Sequence, residues 1–353
     1  MRLTGDFRGT LIVAVLAVLF TLVAPSILEL FTIITLTQVI GLAILALSLA
    51  LIWGFGGILC FGQTAFFGVG AYAYAVAAVN FGGSTGAIFV GIAVAAAFAA
   101  ILGYFVFYGR VSDVYLAVIT LTVALILYSL IRRTSGPEYK IGTALLGGFN
   151  GTGAPPINIP GNPSAMLFPE HTFYVAMAAL ILLYVFCGWL VRTHFGRVCV
   201  AIRENETRAE LLAYDTRLYK LGIFTVGAAI AAVGGIFFAV GVSRVTPDVF
   251  SLSQSALTII WVIVGGRGTL IGPILATFVL YFLTASLGQQ QALNTNLVLG
   301  IILIAFVLLV PQGVVPGVLN WANGQRRRRG DRARERRLRM RRPRNGKMRA
   351  DEP

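Results

Sequence analysis

Charge is what this 353-residue sequence has least of: 12% of its residues are charged and 57% are hydrophobic, where soluble domains carry about 25% charged residues. No Asp, Glu, Lys or Arg occurs from Leu30 to Gly109, a run of 80 residues, or from Gly268 to Gln325, a run of 58. A single soluble globular domain is thereby excluded. Histidine is confined to His171 and His194, and cysteine to Cys60, Cys187 and Cys199, which are far apart and show no CxxC spacing. No metal or disulfide signature follows, and the cysteines read as small apolar packing residues. There is no GxxxxGK[ST] phosphate loop, no HExxH and no Ser/His/Asp set, and Gly266-x-Gly268-x-x-x-Gly272 neither matches GxGxxG nor follows a strand. Catalysis by this chain is not expected.

What is present is apolar length. A spanning helix needs roughly 20 apolar residues, and the first uncharged run alone holds three. Barrel strands would alternate polar and apolar residues instead. The expected fold is therefore an all-α, polytopic transmembrane helical bundle of about 8–10 spans, with crossings near 10–28, 33–53, 61–80, 86–107, 114–131, 172–191, 220–243 and 296–311. The 40 glycines suit helices that approach closely in lipid. The first apolar stretch, preceded by Arg2 and Arg8, reads as an uncleaved helix rather than a signal peptide, because no small-x-small site closes it.

The connections divide the chain. Residues 1–9 form a short amino-terminal segment, 10–320 the transmembrane domain and 321–353 a polybasic tail. The tail from 325 holds 13 Arg and one Lys against four carboxylates, which is +10 of the net +14. It lacks an apolar face and reads as a disordered solvated segment attracted to anionic lipid headgroups, with no specific nucleic acid expected. Residues 132–171 carry six prolines and a glycine cluster, an irregular external loop. Residues 192–219 are charged, free of proline and helical in pattern. Basic residues near helix ends place the 192–219 loop and both termini in the cytoplasm. Parity then requires 255–287 to enter and return, as a broken helix or a hairpin of a short and a longer arm. The stretch from Gly265 and Gly266 to Pro273 would lie between the arms, with Arg267 facing the cytoplasmic side. This layout puts 24 basic residues inside and 4 outside.

The spans are almost free of Asp, Glu and His, which disfavours a proton relay; sodium coupling through backbone carbonyls stays open. A transporter without titrating groups draws its energy elsewhere, and a partner that hydrolyses ATP is the natural candidate. Within 201–213, Ile202, Ala209, Leu212 and Ala213 lie near one helical face, with Arg203, Glu204, Glu206, Arg208 and Glu210 elsewhere. Glu204 and Arg208 are spaced as a favourable i,i+4 pair. The pattern fits a solvated amphipathic helix and equally a docking helix that inserts into a partner's groove. Gly62, Gly68 and Gly70 allow close helix approach or a helix break that exposes backbone groups. Gln63, Thr64, Thr120 and Thr122 could line a path or simply hydrogen-bond within the bundle; Thr120 and Thr122, two apart, cannot share a helical face.

Three blocks in order resemble one known family. Trp53-Gly54-Phe55-Gly56-Gly57, with Phe61 to Tyr72 including Phe66, resembles the first signature block of the branched-chain amino-acid (high-affinity) ABC transporter permeases. Ala201-Ile202-Arg203-Glu204-Asn205-Glu206 with Arg208-Ala209-Glu210 resembles their cytoplasmic coupling segment, and Ile263 to Pro273 their late glycine-rich block. The resemblance covers about residues 40–315 and is to the permease of the pair with the longer external loop. It implies a subunit of a binding-protein-dependent importer in the bacterial cytoplasmic (inner) membrane. Its partners would be a second permease in a heterodimer, two ABC ATPase subunits and an external solute-binding protein. ATP and Mg would be used by the ATPases, and no cofactor by this chain. Coupling would fall to Arg203, Glu204, Asn205, Glu206, Arg208, Ala209 and Glu210, and the translocation path to Gly62, Gln63, Thr64, Phe66, Thr120, Thr122, Gly265 and Gly266. Gln63 stands where many relatives carry His, and Leu212-Ala213-Tyr214-Asp215 departs from the usual end of the coupling helix. Gly266-Arg267-Gly268 resembles urea and short-amide permeases of the same family, which leaves urea as the alternative solute.

Overall fold

The computed structural model describes residues 7–159, 162–289 and 300. Among the described residues, seven helices are long and apolar enough to cross a membrane. They are α1 (Phe7–Ile27), α2 (Leu30–Gly54), α3 (Gln63–Phe81), α4 (Ser84–Tyr108), α5 (Asp113–Arg133), α6 (Pro169–Leu190) and, after two short helices α7 (His194–Glu204) and α8 (Glu206–Leu211), α9 (Thr216–Val242). Each falls within a few residues of an expected crossing. Two further helices, α10 (Leu252–Gly265) and α11 (Ile271–Gln289), complete the described bundle. Apart from Gly300, the expected crossing at 296–311 lies outside the described residues, as do the tail at 321–353 and residues 1–6.

The sequence of α2 is apolar on every side, and such a helix is stable only when surrounded. Every residue from Val39 to Ile52 is buried, with α9, α6, α10 and α11 packed around them. The approach of α9 depends on small residues: a β-carbon on Gly41 would lie 2.6 Å from the Gly234 carbonyl oxygen. Large apolar side chains instead face outward, including Phe89, Tyr115 and Leu182. Such a surface suits lipid, where tails are as apolar as leucine.

Two interruptions shape the interior. Between α2 and α3, residues 55–62 are non-helical yet mostly buried; at membrane depth such backbone is tolerated only inside protein or along a cavity. Between α9 and α10, the chain leaves Arg244–Val245, which pairs with Thr152–Gly153 of the long loop, and turns inward through a 3-10 segment, Pro247–Phe250. A β-carbon on Gly68 would overlap the Phe250 ring. At about 1.5 Å per residue, that places the start of α10 about 20 Å below the outer end of α3. The α10–α11 pair is the expected hairpin, a 14-residue arm and a 19-residue arm. Its arms touch where Gly265 meets Gly272, backbone to backbone.

The described part of 134–168 holds a 3-10 turn, Gly148–Asn150, and short antiparallel pairs, Lys140–Ile141 with Ala144–Leu145 and Asn158–Ile159 with Asn162–Met166, besides the Thr152–Gly153 pairing with Arg244–Val245. The segment is pinned to the helix ends. Asn80 Oδ1 accepts from the Thr143 backbone N–H (2.8 Å), and Tyr74 Oη donates to the Pro155 carbonyl (2.8 Å). At the opposite end of the bundle lie the end of α2, the α7–α8 pair and the α10–α11 turn.

Candidate functional site

Two groups of residues carry the candidate chemistry, one inside the bundle and one at the α7–α8 end. Inside, the first turn of α3 is a hydrogen-bonded knot. Gln63 Nε2 donates to Ser48 Oγ of α2 (3.1 Å) and to the Gly227 carbonyl of α9 (3.2 Å). The amide orientation follows from its neighbours: the Gly227 carbonyl can only accept, and Ser48 spends its own proton on Leu45 O (2.7 Å). Gln63 Oε1 is left buried and unpaired among the described residues. Thr64 Oγ1 lies 2.7 Å from Ser255 Oγ of α10. Thr120 Oγ1 of α5 accepts from the Gly62 N–H (3.3 Å) and donates to Ala117 O (3.0 Å). The interior group thus joins α2, α3, α5, α9 and α10 at the two interruptions.

Not every residue expected on the path joins this group. Thr122 points out of the bundle and donates to its own helix at Val118 O (2.9 Å), because two residues along α5 turn a side chain to the far side. Phe66 is fully buried and packs edge-on against Phe224 (5.2 Å between ring centres). Gly265 and Gly266 are remote from the knot, in the α10–α11 turn, where Gly266 has φ 103°. Sequence reasoning passed over Ser48 and Ser255, which complete the knot, and Tyr72 Oη and Gln254 Nε2, which are buried without hydrogen-bond partners among the described residues. Ser48 could have been noticed as a hydroxyl in an otherwise apolar stretch of α2.

The 192–219 segment is two helices with a break rather than one. Asn205 has extended backbone (φ −163°, ψ 102°), ends α7 and caps α8 by accepting from the Arg208 N–H (2.8 Å). The expected Glu204–Arg208 pair is therefore not formed: i,i+4 proximity needs a continuous helix. Glu204 pairs with Arg203 instead, and that hydrogen bond holds the Glu204 carboxyl below its ordinary pKa. Glu206 pairs with Lys220 of α9 (2.6 Å), and Glu210 accepts from Thr216 Oγ1 (3.1 Å). Ala209, Ile202 and Val198 are buried together against Tyr214 and Tyr219.

Leu212 and Ala213 do not share that inner face, although their spacing suggested it. The chain reverses at Ala213 (φ 64°), leaving Leu211 and Leu212 83% and 68% exposed. Beside the exposed Glu204, Arg208 and Glu210, these leucines make an apolar tip with a charged rim, a surface suited to a protein groove. Cys199 is buried behind it, and burial pushes its thiol up to about 12. Among the described residues no group of three His, Cys, Asp or Glu side chains is placed to hold a metal ion.

Comparison with known proteins adds an independent line. The family model for the branched-chain amino acid transport system / permease component matches residues 31–307. The high-affinity branched-chain amino acid transport system permease protein LivM of Escherichia coli is 29% identical over 292 residues, covering 77% of this chain and 67% of that protein. Its Salmonella typhimurium counterpart is 28% identical over the same coverage. The probable branched-chain amino acid transport permease protein LivM of Methanocaldococcus jannaschii is 22% identical over 188 residues, 49% of this chain and 53% of that one. No solved structure matches the chain.

Proposed function

The chain belongs to the family of branched-chain amino acid transport system permease components, and on that premise we propose that it is one membrane-spanning subunit of an ATP-driven, binding-protein-dependent importer of branched-chain amino acids. The observation that carries the reading is the match over residues 31–307. The exposed α7–α8 tip of this almost charge-free bundle supports it. The proposed setting is the cytoplasmic membrane, with the α7–α8 end inside and residues 134–168 outside. The proposed partners are a second permease, two ATPases that use ATP and Mg, and an external solute-binding protein. Anionic lipid headgroups are the proposed neighbours of the tail, and no specific nucleic acid takes part.

In this mechanism the chain binds no nucleotide and no cofactor. The ATPase seats the Leu211–Leu212 tip in a groove, with Glu204, Arg208 and Glu210 at its rim. ATP binding moves α7–α8 as a body, and packed helices shift between two arrangements. Inside, Gln63, Thr64 and Thr120 tie the interrupted ends of α3 and α10 to their neighbours, so that a shift of either helix exchanges hydrogen bonds near the path. The path itself is proposed to run along Gly62, Gln63, Thr64 and Thr120 once the second permease is in place.

The test is reconstitution of all subunits in proteoliposomes, with leucine and urea offered in parallel. ATP-dependent leucine uptake supports the reading. Urea uptake alone would move the substrate to the short-amide class, and uptake that follows an ion gradient without the ATPases would overturn the importer mechanism. Replacing Leu211 and Leu212 by Asp should abolish co-purification of the ATPases while the permease itself stays folded.

A further inference from the structure

We propose that Arg203 is an inward-facing positioning residue that transmits movement of α7 to the end of α2 and to the α10–α11 turn, rather than a contact for the ATPase. The inference rests on the permease reading above and adds the residue through which the motion passes.

The side chain of Arg203 is only 20% exposed, whereas that of its neighbour Glu204 is 65% exposed. Its guanidinium bridges inside and outside. Nη1 donates to the Gly54 carbonyl at the end of α2, and Nη2 donates to the Glu204 carboxylate. The last carbonyls of a helix lack partners within the helix and carry its negative partial charge. A planar cationic fork suits such a site better than the point charge of lysine. The aliphatic stem is seated as well. Gly57 has φ 74°, and a β-carbon there would lie 2.6 Å from Arg203 Cγ. Only glycine meets both the conformation and the space, so the stem of Arg203 rests directly on the interrupted segment that leads to Gln63.

The same glycine that receives the guanidinium touches the hairpin. A β-carbon on Gly54 would overlap the Arg267 carbonyl oxygen, and the Arg267 guanidinium lies over the Trp53 ring at 5.8 Å. Four pieces of chain therefore meet at one point: α7 through Arg203, α2 through Trp53 and Gly54, the interrupted segment through Gly57, and the α10–α11 turn through Arg267. A movement of α7 pulls the end of α2 through the Arg203–Gly54 bond. The Arg267–Trp53 contact draws the turn along with α2, and the backbone contact at Gly54 passes on any movement of α2 toward the turn.

The experiment uses the complete transporter in proteoliposomes with three readouts: co-purification of the ATPases, ATP hydrolysis, and leucine taken up per ATP hydrolysed. Arg203→Gln should assemble and hydrolyse ATP, but its uptake per ATP should fall roughly tenfold, in the range of ordinary coupling effects. Arg203→Lys, which keeps the stem and charge, should recover part of the loss. Gly54→Ala, which leaves Arg203 intact and displaces the turn, should uncouple in the same way, and Gly268→Ala, with nothing within 4 Å of its β-carbon, should behave as wild type. Loss of ATPase co-purification in both Arg203 variants would overturn the proposal in favour of direct docking. Unchanged uptake per ATP in Arg203→Gln, or in Arg203→Lys and Gly54→Ala if the glutamine variant fails to fold, would overturn it outright. Absence of ATP-driven uptake in the wild-type assembly would instead defeat the permease reading on which it rests.

Discussion

Thr64 Oγ1 and Ser255 Oγ lie 2.7 Å apart and join the first turn of α3 to the first turn of α10, across 191 positions of sequence. Both hydroxyls are buried, so each depends on the other. Thr64→Ala and Ser255→Ala should each destabilise by about 1–3 kcal/mol, because each strands a buried partner. The double variant should be less than additive, with a coupling of about 1 kcal/mol, typical of side-chain bonds between membrane helices. Thermal unfolding of the four proteins in detergent measures it, and strict additivity would refute the pairing.

Gly234 should not tolerate a side chain. Its ideal β-carbon meets the Gly41 carbonyl at 2.6 Å, and both atoms belong to buried helices. Gly234→Val should cost about 1–3 kcal/mol or more through overpacking. Size-exclusion chromatography of the solubilised protein should show aggregation for Gly234→Val. A monodisperse, fully stable valine variant would argue against the α2–α9 contact.

Cys199 should be inert in the resting transporter. Its thiol is buried and pushed up to about 12, and the thiolate is the reacting form. The sign is set by the raised pKa: below about 12 the group stays protonated, so moving from pH 7 to pH 9 should give almost no labelling. In a chain with Cys60 and Cys187 replaced by alanine, maleimide should label Cys199 only after unfolding in detergent. Rapid labelling of the native protein would show that α7 is not packed as described.

Asn158 should hold the long loop to the bundle. Its Oδ1 accepts from the backbone N–H of Ser84, the first residue of α4, and its own N–H donates to Ser84 Oγ (2.8 Å). Gly83, at the cap position of α4, supplies no side-chain acceptor, so Asn158 serves that end from a distance. Asn158→Ala should cost about 1 kcal/mol, as for loss of a helix cap. Faster limited proteolysis within 134–168 in nanodiscs is the expected result; an unchanged digestion rate would contradict the pinning role.

Much of the architecture was legible in the chain because the bilayer is a strict solvent. Backbone groups must be satisfied within the segment, so uncharged runs of about 20 residues become helices wherever they occur. Charge parity alone required 255–287 to turn back, and the hairpin is there. The candidate site was less legible. Gln63, Thr64 and Thr120 were identifiable as polar side chains in apolar spans, but Ser48, Gly227 and Ser255, which bond or adjoin them, are set by how helices far apart in sequence align in depth.

The sequence by itself determined that this protein spans a membrane, where its helices run and that its α7–α8 segment is amphipathic, because each of these depends on local composition and periodicity. Only the tertiary structure decided which way the polar groups face. Arg203 and Glu204 are adjacent in a charged run, yet one reaches inward to Gly54 and the other is exposed to solvent. Asn205 breaks the helix that would have paired Glu204 with Arg208. Thr120 and Thr122 differ in role because α5 buries one side only. In each case the physical reason is the same: a side chain's partner is fixed by the rotation and depth at which whole helices pack, and no local stretch of residues encodes that.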